Sequence, residues 1–308
     1  MNQENTNLLF LLDRNHILDY FEFDTGLVPQ IVENFTAQCY VSKKASDETG
    51  LPEGIPITYR AGDQPNNALS LNIFNKGEVA ATGGTSGVIY AITNNKKSNE
   101  ASRINHFAHV NYSQNNPSIG KLLCINGAGI MYRWLRNQSS AISYEAMNKE
   151  ASKIPIGSEG LIILPFGNGA ERMLGNLNIG TQFCNINLNQ HSKSHLYRAA
   201  LEGIAFSFVY GMEILKNDNV KPNFIRVGND NLFQSEIFAK TFSTLSENEI
   251  EIYDISGAYG AARAAAIKSD FSNISKSDFL KKITPSKDEN EYFDSYNRWK
   301  EKLNKILN

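Results

Sequence analysis

Asp63 is the carboxylate of "TYRAGDQPNNALS", residues 58–70, set between a short β-prone run and a Pro-Asn-Asn segment. Its own spacing does not say what it is for. A different chemistry is offered by "TGGTSG", which brings Gly83, Gly84, Thr85, Ser86 and Gly87 together. Glycines permit φ > 0 and close approach, so backbone N–H groups in such a turn can converge on phosphate oxygens, with two hydroxyls added. Most glycine-rich hairpin turns are only turns, and this one alone does not decide. "VGNDNLF", residues 227–233, follows a strand and precedes a helix, where open α/β sheets hold ligands. It lacks G-x-G-x-x-G spacing, so a dinucleotide fingerprint is not present and an ordinary strand-to-helix loop is the plainer reading.

Other candidate groups carry less. His106 and His109 lie in a strand pattern, where a three-residue offset puts the rings on opposite faces and argues against a shared metal. His191 and His195 can align on one helical face, but no Cys or carboxylate joins them at ligand spacing, so polar residues at a helix start explain them better. No protein-built metal site is expected. "FDTG", residues 23–26, matches the triplet of aspartic proteases, yet those sites need two Asp residues sharing a proton, and no second D-[ST]-G occurs.

The elements that must position these residues alternate. Short β-branched runs and amphipathic helical patterns succeed one another almost to the end, which argues an α/β architecture. "SKKASDETG" predicts a short helix with Ser42 as N-cap and Gly50 as its left-handed stop; Pro52 and Pro56 then delay a strand until "ITYR". "EVAATGGTSGVIYAIT" predicts a β-hairpin, and "NFIRVG" and "EIEIYDI" predict strands. "NGAGIMYRWLRN" and "HSKSHLYRAALEGIAFSFVYGMEIL" predict helices, the second apolar on more than one face and so interior. "GAYGAARAAAI" predicts a small-residue helix able to pack closely, and "YNRWKEKLNKILN" an amphipathic terminal helix. "TNNKKSNEASR" predicts a polar loop between strands, and "IKSDFSNISKSDFL" a Ser-rich connector.

Composition bounds the rest. With 308 residues, 41% hydrophobic, the chain can bury one large or two ordinary cores. Its 30 basic and 32 acidic residues form no polyanion-binding face, so nucleic acid and acidic membranes are not implied as partners. Three separated cysteines, Cys39, Cys124 and Cys184, predict buried thiols in a reducing compartment. The N-terminal apolar run "LLFLL" is too short for a signal h-region or a span, so a soluble, cytoplasmic protein is expected.

Seven blocks in fixed order add a resemblance. "YRAGDQPNNALSL", "GEVAATGGTSGVIYA", "NGAGIMYRWLR", "LPFGNGAERMLGN", "RAALEGIAFSFVYGMEIL", "IRVGNDNLFQSEIFAKTF" and "GAYGAARAAA" closely resemble the later part of FGGY-family carbohydrate kinases, specifically those of the xylulokinase type. The resemblance runs from about residue 16 over nearly all of the chain. It implies a ribonuclease H-like, actin-like ATPase fold: residues 1–70 as the tail of an N-terminal domain and 71–308 as a complete C-terminal, nucleotide-binding domain. It implies ATP and Mg²⁺ as cofactors and transfer to the 5-hydroxyl of D-xylulose, with Asp63 as the base and Gln64 on the sugar. By the same carry-over Gly84, Thr85, Ser86 and Gly87 meet the β- and γ-phosphates, and Gly129 and Arg133 approach the nucleotide. Gly228, Asn231 and Phe233 match the adenosine motif, here departing from the commoner G-G-G-x form. The family's first phosphate motif, D-x-G-[ST], has no counterpart in this sequence. Most sugar contacts and the acidic residues that help hold Mg²⁺ also belong to that missing region. Two functions therefore stand: a kinase completed by the missing N-terminal domain, supplied in trans or in a longer form, and a non-catalytic remnant that binds nucleotide or a partner. Residues 1–70, cut from their neighbours, are expected to pack poorly or to bury themselves against another chain.

Overall fold

Ser42 and Gly50 set the first regular element. In the computed structural model, which describes residues 18–266 except 31, 114 and 116, and residues 278–308, β1 (Cys39–Tyr40) and β2 (Pro56–Ile57) pair antiparallel around helix α1 (Lys43–Thr49). The Ser42 hydroxyl accepts the Ala45 N–H at 3.2 Å, and Gly50 ends the helix at φ 75°, as predicted. The strand expected over "ITYR" is shorter: pairing stops at Ile57, and the Thr58 carbonyl instead accepts the Phe35 N–H at 2.7 Å. Large apolar side chains of this segment stay in solvent, Tyr20 at 81% exposure and Leu27 at 73%.

The expectation of poor packing fails further along. Helix α2 (Asp63–Ser70) buries Pro65, Ala68, Leu69 and Ser70. Ala68, Leu71 and Ile73 enter one apolar layer with Ala80, Val88, Tyr90, Ile92, Leu122 and Tyr253 of the sheet. The part of that expectation concerning residues 1–17 lies outside the described residues.

The remaining elements in chain order are β3 (Glu78–Gly83), β4 (Gly87–Thr93), β5 (Asn105–Ala108), β6 (Ile119–Ile125), α3 (Gly129–Gln138), α4 (Tyr144–Ala151), β7 (Ile162–Leu164), β8 (Gln182–Cys184), α5 (Lys193–Asn217), β9 (Phe224–Gly228), α6 (Glu236–Ser246), β10 (Ile250–Tyr253), α7 (Gly257–Ala266), β11 (Phe279–Ile283) and α8 (Glu289–Leu307). Seven strands form one mixed sheet in the order β11-β10-β9-β3-β4-β6-β5. β3, β4, β6 and β5 are antiparallel neighbours, β9 and β10 extend β3 in parallel, and β11 caps β10 antiparallel. Two-residue alternation sends Val79, Ala81, Ile89, Ala91, Leu123 and Ile125 to the face covered by α5, while Ala80, Val88, Tyr90 and Leu122 go to the face that α2 closes. Covered on both sides, β4 is buried along its whole length. The 25-residue α5 is apolar around most of its girth because it is enclosed by neighbours, as predicted.

Two expectations are corrected, the connector and the cysteines, and a third, close packing of the small-residue helix, is met. The Ser-rich connector is partly a strand: Phe279–Ile283 pairs with β10, although its residues stay largely exposed, so no burial pattern marks it; the rest of that stretch, 267–277, lies outside the described residues. The three cysteines are free but half-buried rather than buried. The small-residue helix α7 packs on α2, where a Cβ on Gly260 would lie 1.8 Å from the Ser70 hydroxyl oxygen. The two histidines of β5 and its end do face apart. His106 points to Asp218 at 3.7 Å, whereas His109 bonds the Tyr90 hydroxyl at 3.1 Å and the Ile73 carbonyl at 2.9 Å, and burial pushes its pKa down to about 4. His195 belongs to the start of α5, where its Nδ1 accepts the Ser192 N–H at 3.1 Å.

Candidate active site

The hairpin turn between β3 and β4 is docked on the first turn of α3. The Gly129 and Ile130 N–H groups donate to the carbonyls of Gly84 and Thr85 at 3.1 and 3.0 Å. Ala128 offers the helix no side-chain cap, so the turn itself satisfies donors that would otherwise be orphaned. A trans peptide holds its C=O and N–H on opposite sides. With both carbonyls directed at α3, the N–H groups of Thr85 and Ser86 are aimed away from it, and Thr85 stands exposed at the tip.

The turn's glycines act through space, not through left-handed conformation. None of Gly83, Gly84 and Gly87 has positive φ. A Cβ on Gly83 would lie 2.8 Å from Leu232 Cβ, and one on Gly87 would lie 2.4 Å from the Phe208 ring. At Gly84 the nearest atom would be the Ser86 carbonyl oxygen at 3.6 Å, so that position is open.

The open side belongs to a cleft of about 810 Å³, within the usual range for a small-molecule site. Gly83, Gly84, Thr85, Gly129, Arg133 and Asn231 line it. Its lining cations Arg133, Lys149, Arg198 and Lys240 outnumber the lining carboxylates Glu145 and Glu236; with Arg198 paired to Glu202 behind the wall, a small positive excess remains, suited to an anion. Arg198 is fixed from behind by Glu202 at 2.6 Å. Burial pushes the Glu202 carboxyl up, against the opposing pull of that guanidinium.

Asp63 and Gln64 lie outside this cleft's lining. Asp63 is exposed at the first position of α2, and its carboxylate accepts the Gln64 N–H at 2.8 Å. Cys124 pairs with Val88 just beyond the turn and lies against the apolar layer that α2 enters. Burial raises the Cys124 thiol, Arg172 opposes this, and the carboxylates of Glu171 and Asp63 raise it further. Helix α2, which Asp63 opens, shares an apolar layer with Val88 of the strand that leaves the glycine turn. Asn66 holds its helix in place, donating to the Gly257 carbonyl at 2.8 Å and accepting from the Tyr59 hydroxyl at 3.1 Å.

The profile of the FGGY family of carbohydrate kinases, C-terminal domain, matches residues 79–268. The chain belongs to that family. Its relatives include a gluconokinase of Bacillus subtilis, 27% identical over 243 residues, covering 74% of this chain and 46% of the relative. A probable L-xylulose kinase of Haemophilus influenzae is 26% identical over 281 residues, covering 88% and 55%. The ligand-bound xylulose kinase structure from Lactobacillus acidophilus superposes with a TM-score of 0.84 at 21% identity, covering 95% of this chain and 60% of that one. The chain spans about half the length of the curated relatives it matches. The mixed sheet with helices on both faces is thus the actin-like ATPase fold of FGGY sugar kinases.

Within this FGGY domain the residues anticipated from sequence divide by position. Gly84, Thr85, Gly129, Arg133 and Asn231 meet at one cleft. Ser86 is in the turn beside it, and Gly87 is packed against Phe208. Gly228 ends β9 short of the cleft wall. Phe233 is turned into the core, 5.1 Å from the Phe238 ring, and presents no face to the cleft. Sequence reasoning passed over Lys149 and Glu145 of α4, which share a face at helical spacing behind the Ser143 cap, and Arg198, Lys240 and Tyr292 from distant elements. Among the described residues no three His, Cys, Asp or Glu side chains converge as a metal site. The donors present do not fit a protein-held Mg²⁺, and an ion accompanying nucleotide phosphates would depend on those phosphates for most of its ligands.

Proposed function

We propose that the chain is the nucleotide-binding part of an ATP-dependent sugar kinase, with Asp63 as the general base. The observation that carries this reading is the glycine turn: its carbonyls are tied to α3, its Thr85 and Ser86 N–H groups are directed outward, and a net positive cleft opens beside Gly84. In the proposed reaction the sugar hydroxyl oxygen attacks the γ-phosphorus, Asp63 takes the hydroxyl proton, and the bond to the β–γ bridging oxygen breaks to release ADP. Outward N–H groups and Lys or Arg side chains would stabilise the charge that develops on the phosphoryl oxygens.

The substrate we propose is D-xylulose, phosphorylated at its 5-hydroxyl, with Gln64 hydrogen-bonding the sugar. Relatives named for gluconate and L-xylulose make other sugar acids and ketoses the natural comparisons. Because the chain matches only about half of those relatives, we propose that a separate or upstream N-terminal domain completes the sugar site and the closing cleft. The test is ADP release with D-xylulose, L-xylulose, gluconate and glycerol, with and without that N-terminal domain. D-xylulose-dependent turnover in its presence is expected; turnover with none of the four overturns the kinase reading, and preference for another overturns the sugar.

A further inference from the structure

Glu171 is fully buried, yet no part of the proposed reaction uses it. Its two carboxylate oxygens accept the Asn126 N–H at 2.9 Å and the Gly127 N–H at 2.6 Å. Both donors belong to the loop that leaves β6 and opens α3. The same loop is stitched to the Glu171 segment twice more: the Asn126 side chain donates to the Ala170 carbonyl at 2.7 Å, and Asn168 donates to the Asn126 carbonyl at 3.1 Å.

Two glycines turn this clamp into a stack of three backbones. A Cβ on Gly127 would lie 2.2 Å from the Pro165 carbonyl oxygen, so the loop lies flat on the chain leaving β7. A Cβ on Gly129 would lie 2.3 Å from the Gly84 carbonyl oxygen, so the glycine turn lies flat on the loop. The peptide groups of the turn are therefore oriented by the loop, and the loop's two backbone N–H groups by the Glu171 carboxylate, with the Asn126 and Asn168 side chains tying the same segments together. Burial pushes the Glu171 carboxyl up, while the two N–H donors work to keep it charged.

We infer that Glu171 is a positioning residue for the phosphate cradle: by gripping Asn126 and Gly127 it fixes α3 against Gly84 and Thr85, and so sets where the Thr85 and Ser86 N–H groups point. The inference rests on the nucleotide-binding reading above. A Glu171→Gln side chain has nearly the same shape, but it presents an amide donor to one of the two backbone donors, and the loop must shift to relieve the clash. The phosphates then lose aligned partners, while the far end of the cleft, at Lys240 and Tyr292, is untouched.

The experiment is calorimetric titration of this chain with ATP and, separately, with adenosine, for wild type, Glu171→Gln and Glu171→Asp. Glu171→Gln should weaken ATP about tenfold, equal to about 1.4 kcal/mol, and leave adenosine affinity within twofold. Glu171→Asp keeps the charge one methylene back, so it should fold and fall between the two, which keeps the test open if Gln unfolds the loop. Unchanged ATP affinity in folded Gln or Asp variants overturns the positioning role, as does a parallel loss of ATP and adenosine, the sign of a merely structural residue. Failure of the wild-type chain to bind either ligand overturns the nucleotide reading beneath it instead.

Discussion

A methyl group at position 129 would sit 2.3 Å from the Gly84 carbonyl oxygen, which is backbone and cannot rotate away. Gly129→Ala is therefore expected to push the turn off α3, costing roughly 1–3 kcal/mol of stability by urea denaturation and weakening ATP more than adenosine. The same substitution at Gly84 meets nothing nearer than 3.6 Å and should cost little stability, while intruding on the cleft beside the turn. Local spacing made the Gly-rich run legible as a turn between two apolar strands, whereas Gly129 stands out only through the family resemblance. It could not tell which side chains face the ligand. Phe233 follows Asn231 in the adenosine motif, but the rings of Phe208 and Phe238 draw it into the core. Glu171 stands in "NGAER" like any surface acid until the fold brings two backbone donors, some 44 residues upstream, onto its oxygens.

The helices that flank the sheet transmit position over longer distances. Helix α2 carries Asp63 and lies so close to α7 that a Cβ on Gly260 would fall 1.8 Å from Ser70 Oγ and 2.7 Å from Ser70 Cβ. Gly260→Ala must therefore separate the two helices and stretch the bond from Asn66 to Gly257. We expect about 1–3 kcal/mol lost on unfolding in urea, with sugar-dependent turnover falling further than ATP affinity because Asp63 moves with its helix. Adding Ser70→Ala should recover only part, since the Ser70 Cα would still be 2.8 Å away. Helix α1 could be read from its caps, and α3, α5 and α8 from apolar spacing, because those signals are local. The docking of α2 on α7 joins residues almost two hundred positions apart, and neither helix advertises its partner. Strand β11 escaped for a different reason: at a sheet edge with exposed residues it needs no apolar alternation.

At the level of the whole molecule, a buried ion pair outside the cleft ties β6 to the end of α5. Far from the cleft, Lys121 is buried against Asp218 at the end of α5, with its ammonium also donating to the Asp218 carbonyl at 2.9 Å. Burial works to raise the Asp218 carboxyl, but hydrogen bonds from Lys121, the Asn99 N–H and Ser98 outweigh it and hold the pKa below the usual Asp value. The sign follows: a depressed carboxylate contributes stability above the ordinary Asp pKa and loses it as pH falls through its folded value. Asp218→Asn should cost about 3 kcal/mol at pH 7, and the gap to wild type, followed by urea denaturation, should close below about pH 4. Among the described residues no helix is long and apolar enough to cross a membrane. The half of the relatives' length that this chain matches holds the proposed nucleotide cleft and Asp63, and its first described segment leaves Tyr20, Leu27 and Tyr40 exposed. The decisive measurement is D-xylulose-dependent ADP release by the chain joined to its N-terminal domain, compared between wild type and Asp63→Asn. Asp63→Asn should lower kcat by about 10²- to 10⁴-fold with ATP affinity unchanged; turnover equal to wild type would contradict the assignment of Asp63 as the base.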